Sequence, residues 1–200
     1  AGHSVGEITA AARAGVLSDE DAMRFVRVRA NGMAEAAAAS PTGMAAVLGG
    51  VEENVREAID AAGLVAANSN GGGQIVAAGP IPAIEAFAAN PPARARVIPL
   101  KVAGAFPTQA MAPAVPALEE FAASLQVSDP TSALLTNRDG SAVASGEEFV
   151  KTLVSQVTSP VRWDLCMATL LEREVAGIIE VAPAGTLVGL AKRAMLGVPG

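Results

Sequence analysis

Cysteine and histidine are almost absent from this sequence of 200 residues, since each occurs only once. The single cysteine, Cys166, excludes a disulfide within the chain and suits a reducing cytosol. One cysteine and one histidine also leave no plausible zinc cluster. No apolar run reaches the roughly 18 residues that would span a bilayer, and the sequence does not open with the charged segment of a signal peptide. We therefore expect a cytoplasmic protein that neither crosses a membrane nor holds zinc.

Charged residues are also scarce, at 17%, and acidic residues outnumber basic ones to give a net charge of −6. Phosphate groups repel a negative chain, which argues against non-specific binding to nucleic acid. The hydrophobic fraction is 51%, which is ample for a buried core and argues against disorder. The length suits one domain, or a core with an inserted lobe.

The motif with the clearest chemical meaning lies at the very start of the sequence. Gly2-His3-Ser4-Val5-Gly6 fits the G-x-S-x-G pattern of a nucleophile elbow, in which a strand turns sharply into a helix and exposes the serine oxygen. The backbone N–H of Val5 would then point at the oxyanion of a tetrahedral intermediate. Both glycines are expected because a Cβ would clash in the tight turn. Alone, the pattern also fits a turn of no chemical purpose.

The middle of the chain alternates between strand-like and helix-like segments. Strands are predicted over residues 44–48, 64–68, 74–78 and 96–102, with helices over 51–62 and 81–89 and a hairpin turn at 69–73. This order, βαββαβ, is typical of a ferredoxin-like lobe. We therefore predict an α/β fold in which a ferredoxin-like small subdomain, residues 41–105, is inserted into a hydrolase-like large subdomain, residues 1–40 and 106–200. Such an insertion leaves a cleft, which is a usual place for a substrate.

Helices dominate the predicted large subdomain. Ser18 and Asp21 have the spacing of a helix cap and predict a helix that runs to about residue 39. Arg29 falls on the apolar stripe of this helix. Further helices are predicted over residues 4–14, 112–125, 146–157 and 186–195, and another follows Trp163. Gln156 lies beside the apolar face of the helix at 146–157. Short strands are predicted over 133–136, which leads into a turn at 137–140, and over 177–181.

The ordered set of motifs resembles the malonyl-CoA:acyl carrier protein transacylase family of bacteria, the actinobacterial type especially. The likeness covers nearly the whole chain. The elbow alone would be weak support, because many serine hydrolases carry it, whereas the ordered set is specific. The set comprises Gly2-His3-Ser4-Val5-Gly6-Glu7, Arg29, Pro41-Thr42-Gly43-Met44, Asn68-Ser69-Asn70, Gln74-Ile75-Val76, Val102-Ala103-Gly104-Ala105-Phe106, Gln156-Val157-Thr158-Ser159-Pro160-Val161-Arg162-Trp163 and Pro183-Ala184-Gly185-Thr186-Leu187.

The resemblance implies a hydrolase-like core with a ferredoxin-like insert, and a two-step acyl transfer. Ser4 would attack the thioester of malonyl-CoA, hold the malonyl group as an ester and pass it to the phosphopantetheine thiol of acyl carrier protein. Arg29 would bind the free malonyl carboxylate through its planar fork. Gln156 would correspond to the residue that orients the catalytic histidine. The resemblance implies no metal or redox cofactor, with coenzyme A entering as part of the substrate, and a role in supplying fatty-acid or polyketide synthesis.

The sequence departs from the family pattern at two places. Family members carry the catalytic histidine directly after the Ala-Phe pair, but Ala105-Phe106 is followed by Pro107, which has no proton to exchange. His3, the only histidine, is expected to point away from Ser4. Family members also have a strand and a Gly-Gln-Gly loop ahead of the elbow. Because residue 1 already lies in the turn, we expect the N-terminal part of the core to be missing from this sequence. A separate N-terminal segment acting as a partner is one alternative, and a segment that is truly lacking is another.

Three functions fit these features. The first is malonyl transacylase, the second is a catalytically impaired fragment or paralogue that binds acyl groups or partners, and the third is a general serine hydrolase. Arg29 on an apolar helix face favours the first over the third, because an ordinary esterase has no use for it. Pro107 favours the second for this chain acting alone. Structural alternatives remain for the site residues: Arg29 could be an arginine that extends to solvent, Gln156 a polar helix end, and Lys192-Arg193 either a carrier-protein contact or a charged helix face.

Overall fold

A computed structural model describes all residues, 1–200, as a mixed α/β structure. The helices are α1 (Gly6–Arg13), α2 (Asp19–Ala39), α3 (Glu52–Ala61), α4 (Ile81–Ala89), α5 (Val115–Ala123), α6 (Gly146–Ser155), α7 (Trp163–Glu172) and α8 (Thr186–Ala194). The strands are β1 (Thr42–Gly49), β2 (Val65–Gly71), β3 (Gln74–Pro80), β4 (Ala95–Pro99) and β5 (Val161–Arg162). Short 3-10 helices precede α5 (Gln109–Ala114) and follow α6 (Gln156–Thr158).

The long helix α2 is the clearest case of local sequence fixing local structure. The Ser18 hydroxyl accepts a hydrogen bond from the backbone N–H of Asp21 at 3.1 Å, which satisfies one of the free donors at the helix start. Acidic residues in the first turn complement the positive end of the helix dipole. The predicted cap and helix are confirmed, and its buried face includes Phe25 and Met33. Arg29 lies on this helix one turn from each of them.

The five strands form one mixed sheet in the order β4-β1-β3-β2-β5. The pairs β1–β3, β1–β4 and β2–β3 are antiparallel, while β2 and β5 are parallel, with Asn68 opposite Val161. The predicted order βαββαβ is found between residues 42 and 99. The hairpin is tighter than predicted, because β2 continues through the buried Asn68, Ser69 and Asn70 to Gly71. Pairing with β3 and β5 therefore holds these polar residues in a strand, although their composition favours a turn.

Separate groups of side chains cover the two faces of the sheet. Val47, Ile75 and Ala77 pack against α3 and α4 on one face. Met44, Val76 and Ala78 pack on the other face against Ala105 and Phe106. The largest cluster lies outside the sheet, where α1, α2, α5 and α6 enclose Ile8, Phe25, Met111, Leu118 and Phe149. Phe106 also packs against that cluster, so residues 104–107 join the sheet to the helical part.

Two predicted strands are wrong. Residues 133–136 form only an isolated bridge between Leu135 and Ala142, because the chain turns back at once through residues 137–140. Residues 177–181 form neither a strand nor a buried segment, since Ile179 is 95% and Val181 80% exposed. An apolar run forms a strand only where a partner edge is available, and here the one backbone contact is from Ile178 N–H to the Pro199 carbonyl at 2.8 Å.

No helix has the length and apolar character needed to cross a membrane. No group of three or more histidine, cysteine, aspartate or glutamate side chains is placed to hold a metal ion.

Candidate active site

Ser4 occupies a strained position at the start of α1. Its φ angle is +52°, in the left-handed region that residues other than glycine seldom adopt. The turn is closed by bonds from Gly6 N–H to the His3 carbonyl and from Glu7 N–H to the Ser4 carbonyl, both 2.9 Å. A strained serine at a helix start is the geometry of a nucleophile elbow.

The two glycines of the motif have different environments. A Cβ on Gly2 would lie 2.0 Å from the carbonyl oxygen of Gly6, whereas a Cβ on Gly6 would meet nothing within 4 Å. The expectation that both glycines relieve a clash is therefore correct for Gly2 and wrong for Gly6. The turn brings the backbone of Gly6 and Glu7 against position 2. Position 6 is the first residue of α1, and its Cβ would point away from other atoms.

This difference predicts opposite effects of two matched substitutions. Gly2→Ala is expected to lower the free energy of unfolding by roughly 1–3 kcal/mol, because the methyl group is forced against backbone atoms. Gly6→Ala is expected to be neutral or to raise it by up to about 1 kcal/mol, because alanine is the better helix former. Urea unfolding of both variants measures the difference. A Gly2→Ala variant as stable as Gly6→Ala would show that the turn has room for a methyl group at position 2.

The backbone N–H of Val5 is free to bind a substrate oxygen. It makes no hydrogen bond to any backbone or side-chain acceptor of the chain, and Val5 is 45% exposed. Free backbone N–H groups beside a nucleophile are the usual donors to a tetrahedral oxyanion. The geometry is therefore compatible with the role predicted for Val5.

Arg29 and Gln156 converge on the Ser4 hydroxyl from two different helical segments. Arg29 Nη2 donates to Ser4 Oγ at 3.0 Å and to Gln156 Oε1 at 3.2 Å, and Ser4 Oγ lies 3.4 Å from Gln156 Oε1. Gln156 is 5% exposed, and its Nε2 is buried with no hydrogen-bond partner. Three residues predicted from distant parts of the sequence thus meet at one point.

Arg29 forms no ion pair within the chain, although the side chain is half-buried. Burial lowers the pKa of Arg29 from its usual value, and the nearby charge of Glu7 opposes that shift. A guanidinium stays protonated at neutral pH even so. Its Nε and Nη1 groups bond to nothing in the chain, which leaves donors for an anionic ligand beside Ser4.

No titratable base bonds to Ser4. Pro107 is buried next to Phe106, and the Ser4 hydroxyl contacts only Arg29 and Gln156. His3 points elsewhere: its Nε2 lies 2.9 Å from Asn70 Oδ1, and its ring centroid is 5.7 Å from that of Trp163. Burial lowers the pKa of His3, and the Asn70 contact opposes the shift. The ring is therefore neutral at pH 7 and directed away from the nucleophile.

Glu7 is a second ionisable group at the site, in the first turn of α1 directly after the elbow motif. Its side chain is fully buried; Oε1 accepts from the Asn137 backbone N–H at 2.8 Å, while Oε2 has no partner. Burial raises the pKa of Glu7 from 4.5 to about 7, against the opposing effect of the Asn137 bond. The folded protein therefore binds this proton more tightly than the unfolded chain does.

Glu7 should make stability fall as pH rises. The free energy of unfolding is expected to decrease between about pH 4.5 and pH 7 and then level off, with a total contribution of up to about 3 kcal/mol. Glu7→Gln removes the charge and should therefore flatten this part of the profile and be more stable than the parent at pH 8. Urea unfolding at several pH values tests this. The exposed Glu57→Gln is the control, and an unchanged pH slope in Glu7→Gln would contradict the assignment.

Comparisons with known proteins identify the family of this chain. Residues 1–196 match the acyl transferase domain family, and the chain belongs to that family. It is 54% identical over 199 residues to the malonyl CoA-acyl carrier protein transacylase of Mycobacterium bovis, with all of this chain and 66% of the relative covered. The chain thus spans just under two thirds of that relative's length.

Solved structures show the same likeness. The crystal structure of MCAT from Mycobacterium tuberculosis superposes with a TM-score of 0.95 at 54% identity, with 98% of this chain and 65% of that one covered. A structure described as a type II PKS acyl-carrier protein in complex with its malonyl-transacylase matches with a TM-score of 0.89 at 29% identity, with coverage of 98% and 66%.

The sequence did not single out two residues that contact the elbow. Glu7 follows the motif directly, but nothing in its spacing indicates a buried carboxylate. Asn137 was predicted only as part of a turn, yet it is fully buried and bonds to both Gly2 and Ser4. The sequence indicates only a turn at Asn137-Arg138-Asp139-Gly140. A turn sequence does not show which residues its first side chain will contact.

Proposed function

We propose that this chain carries the acyl-transfer site of a malonyl-CoA:acyl carrier protein transacylase. The main support is the environment of Arg29. This half-buried guanidinium donates a hydrogen bond to the Ser4 hydroxyl and has no carboxylate partner in the chain. A neutral acyl group would leave this charge unpaired in a partly buried site, which is costly. A malonyl group brings a free carboxylate that the planar guanidinium fork binds with two parallel hydrogen bonds.

The reaction takes place in two balanced steps. The Ser4 oxygen attacks the thioester carbonyl of malonyl-CoA, the C–S bond breaks, and the hydroxyl proton leaves with the coenzyme A thiol. The resulting seryl ester is then attacked by the phosphopantetheine thiol of acyl carrier protein, which takes the malonyl group and returns the proton to Ser4. The free N–H of Val5 would bind the carbonyl oxygen in both tetrahedral intermediates.

Gln156 would act as a substrate-binding residue. Its Oε1 accepts from Arg29 and lies beside Ser4 Oγ, which holds both groups together. Its Nε2 is buried and unpaired, and buried donors without partners are rare in folded proteins. A malonyl oxygen would provide the missing acceptor after a rotation of the amide that exchanges Nε2 with Oε1, the atom that lies beside Ser4 Oγ. The resemblance instead gives this residue the task of orienting a histidine, but position 107 holds proline and no ring is there to orient.

The two-part architecture belongs to the same proposal. Residues 41–105 would form a ferredoxin-like small subdomain, supported by the order βαββαβ and by a separate cluster under α3 and α4. Residues 1–40 and 106–200 would form a hydrolase-like large subdomain that supplies Ser4, Arg29 and Gln156. Both subdomains reach the elbow, since Asn70 of β2 bonds to His3.

The proposed partners are malonyl-CoA and acyl carrier protein, and the product would supply fatty-acid or polyketide synthesis. The relatives named as malonyl transacylases and the neighbour solved with an acyl-carrier protein support this choice. A general serine hydrolase is less well supported, because it provides no role for the charge of Arg29.

Binding measurements test the proposal without requiring turnover. Titration calorimetry is expected to show that the chain binds malonyl-CoA at least about tenfold more tightly than acetyl-CoA, the smallest effect typical of a charge-assisted hydrogen bond. Free coenzyme A provides the baseline for contacts outside the acyl group. Equal affinity for the two thioesters would contradict a malonyl-specific site.

A further inference from the structure

The turn at residues 137–140 contacts the elbow through one side chain. Asn137 Oδ1 accepts from the Ser4 backbone N–H at 2.7 Å, and Asn137 Nδ2 donates to the Gly2 carbonyl at 2.8 Å. The side-chain amide of Asn137 therefore forms hydrogen bonds to the residues on both sides of His3. The Ser4 bond is the shorter of the two, and it belongs to the residue with the strained φ angle of +52°.

The remaining polar groups of Asn137 are also engaged. Its backbone N–H donates to Glu7 Oε1 at 2.8 Å, and its carbonyl accepts from Arg162 N–H at 2.8 Å. Nδ2 also lies 3.5 Å from the sulfur of Cys166. Asn137 is fully buried, with relative exposure of 0%. A buried amide with every donor and acceptor in use has one orientation, because any rotation would break several bonds at once.

The turn that carries Asn137 is itself fixed. Gly140 N–H bonds to the Thr136 carbonyl at 2.9 Å, and Asp139 accepts from the N–H of Ser141 at 3.0 Å. Gly140 has φ +73°, and a Cβ there would lie 2.5 Å from the backbone of Leu165. The turn is thus held against α7, and Arg162 links it to β5 and the sheet.

We infer that Asn137 is a positioning residue that holds Ser4 in its reactive conformation. A strained backbone persists only where its surroundings over-determine it, and Asn137 supplies the only side-chain bond to the Ser4 N–H. Through it, the elbow is tied to α1, to α7 and to β5. The inference rests on the proposed function only in taking Ser4 as the nucleophile. It assigns Asn137 no contact with the substrate.

Reactivity of Ser4 toward a small fluorophosphonate tests this role without a malonyl substrate. The Pro107→His variant, in which a base is restored beside a hydroxyl that otherwise contacts only Arg29 and Gln156, serves as the parent for labelling. In that reaction Ser4 Oγ bonds to phosphorus, fluoride leaves, and the hydroxyl proton passes to solvent. Asn137→Ala is expected to lower the rate of labelling at least about tenfold, because small misplacements of a reacting atom cost up to about 10²-fold. The stability control is Ile59→Ala, which opens the core under α3 far from the elbow and should leave labelling within about twofold of the parent.

Amide hydrogen exchange in the parent chain gives a second test that needs no variant. The Ser4 N–H is expected to be protected to the level of core amides in α2, because its acceptor is fully buried. Rapid exchange of this amide would overturn the inference, as would parent-rate labelling of Asn137→Ala or an equal loss in Ile59→Ala. Failure of malonyl-CoA to bind would count against the proposed substrate and would leave both of these readouts intact.

Discussion

Replacing Pro107 with histidine is expected to raise the rate at which malonyl-CoA acylates Ser4 by at least about 10²-fold, the lower end for general-base catalysis. A serine hydroxyl is a weak nucleophile at neutral pH and needs a base within hydrogen-bond reach. In the parent chain the hydroxyl contacts only a guanidinium and an amide oxygen. Neither group accepts a proton at pH 7, so acylation of the parent should be very slow.

Single-turnover acylation followed by mass spectrometry measures this rate. Pro107→Ala is the matched control, because it removes the proline without adding a base and should remain as slow as the parent. Rapid, stoichiometric acylation with Pro107 intact would show that another group serves as the base. A folded Pro107→His variant with no gain in rate would show that position 107 lies too far from Ser4.

Removing the Arg29 guanidinium should change which acyl group is preferred. In the Pro107→His background, Arg29→Ala is expected to lower the ratio of malonyl to acetyl acylation rates by about 10- to 150-fold. This range corresponds to roughly 1.5–3 kcal/mol for hydrogen bonds to a charged group. Acetyl acylation should fall much less, because an acetyl group has no carboxylate for Arg29 to bind.

Competition between malonyl-CoA and acetyl-CoA in one reaction gives the ratio directly. Arg27→Ala is the control, since Arg27 is an exposed arginine on the same helix and its loss should leave the ratio unchanged. If Arg29→Ala kept the parent preference, the malonyl carboxylate would have to be bound elsewhere.

The parts of the fold that were predicted correctly depend on local signals. Ser18 and Asp21 cap α2 as their spacing requires, and the alternation of strands and helices over residues 42–99 follows the pattern of apolar residues. Arg29 could be picked out because one charge on an apolar stripe is unusual. The structure brings it to within 3.0 Å of Ser4, although no sequence rule gives that distance.

The parts that could not be predicted depend on contacts between distant segments. The polar run Asn68-Ser69-Asn70 lies in a strand because β3 and β5 pair with it on both sides. Residues 177–181 have the composition of a buried strand but find no partner edge, so Ile179 is exposed. Asn137 is 133 positions from Ser4 along the chain. No local pattern indicates that its amide will hold the elbow.

Peptide mapping shows whether Ser4 is the residue that takes the malonyl group. The Pro107→His variant is incubated with malonyl-CoA and quenched, and its tryptic peptide 1–13 is sequenced by mass spectrometry. We expect one malonyl group on Ser4, no adduct in Ser4→Ala, and release of the group when holo-acyl carrier protein is added before the quench. A malonyl group on any other residue, or an adduct that survives in Ser4→Ala, would show that Ser4 is not the nucleophile.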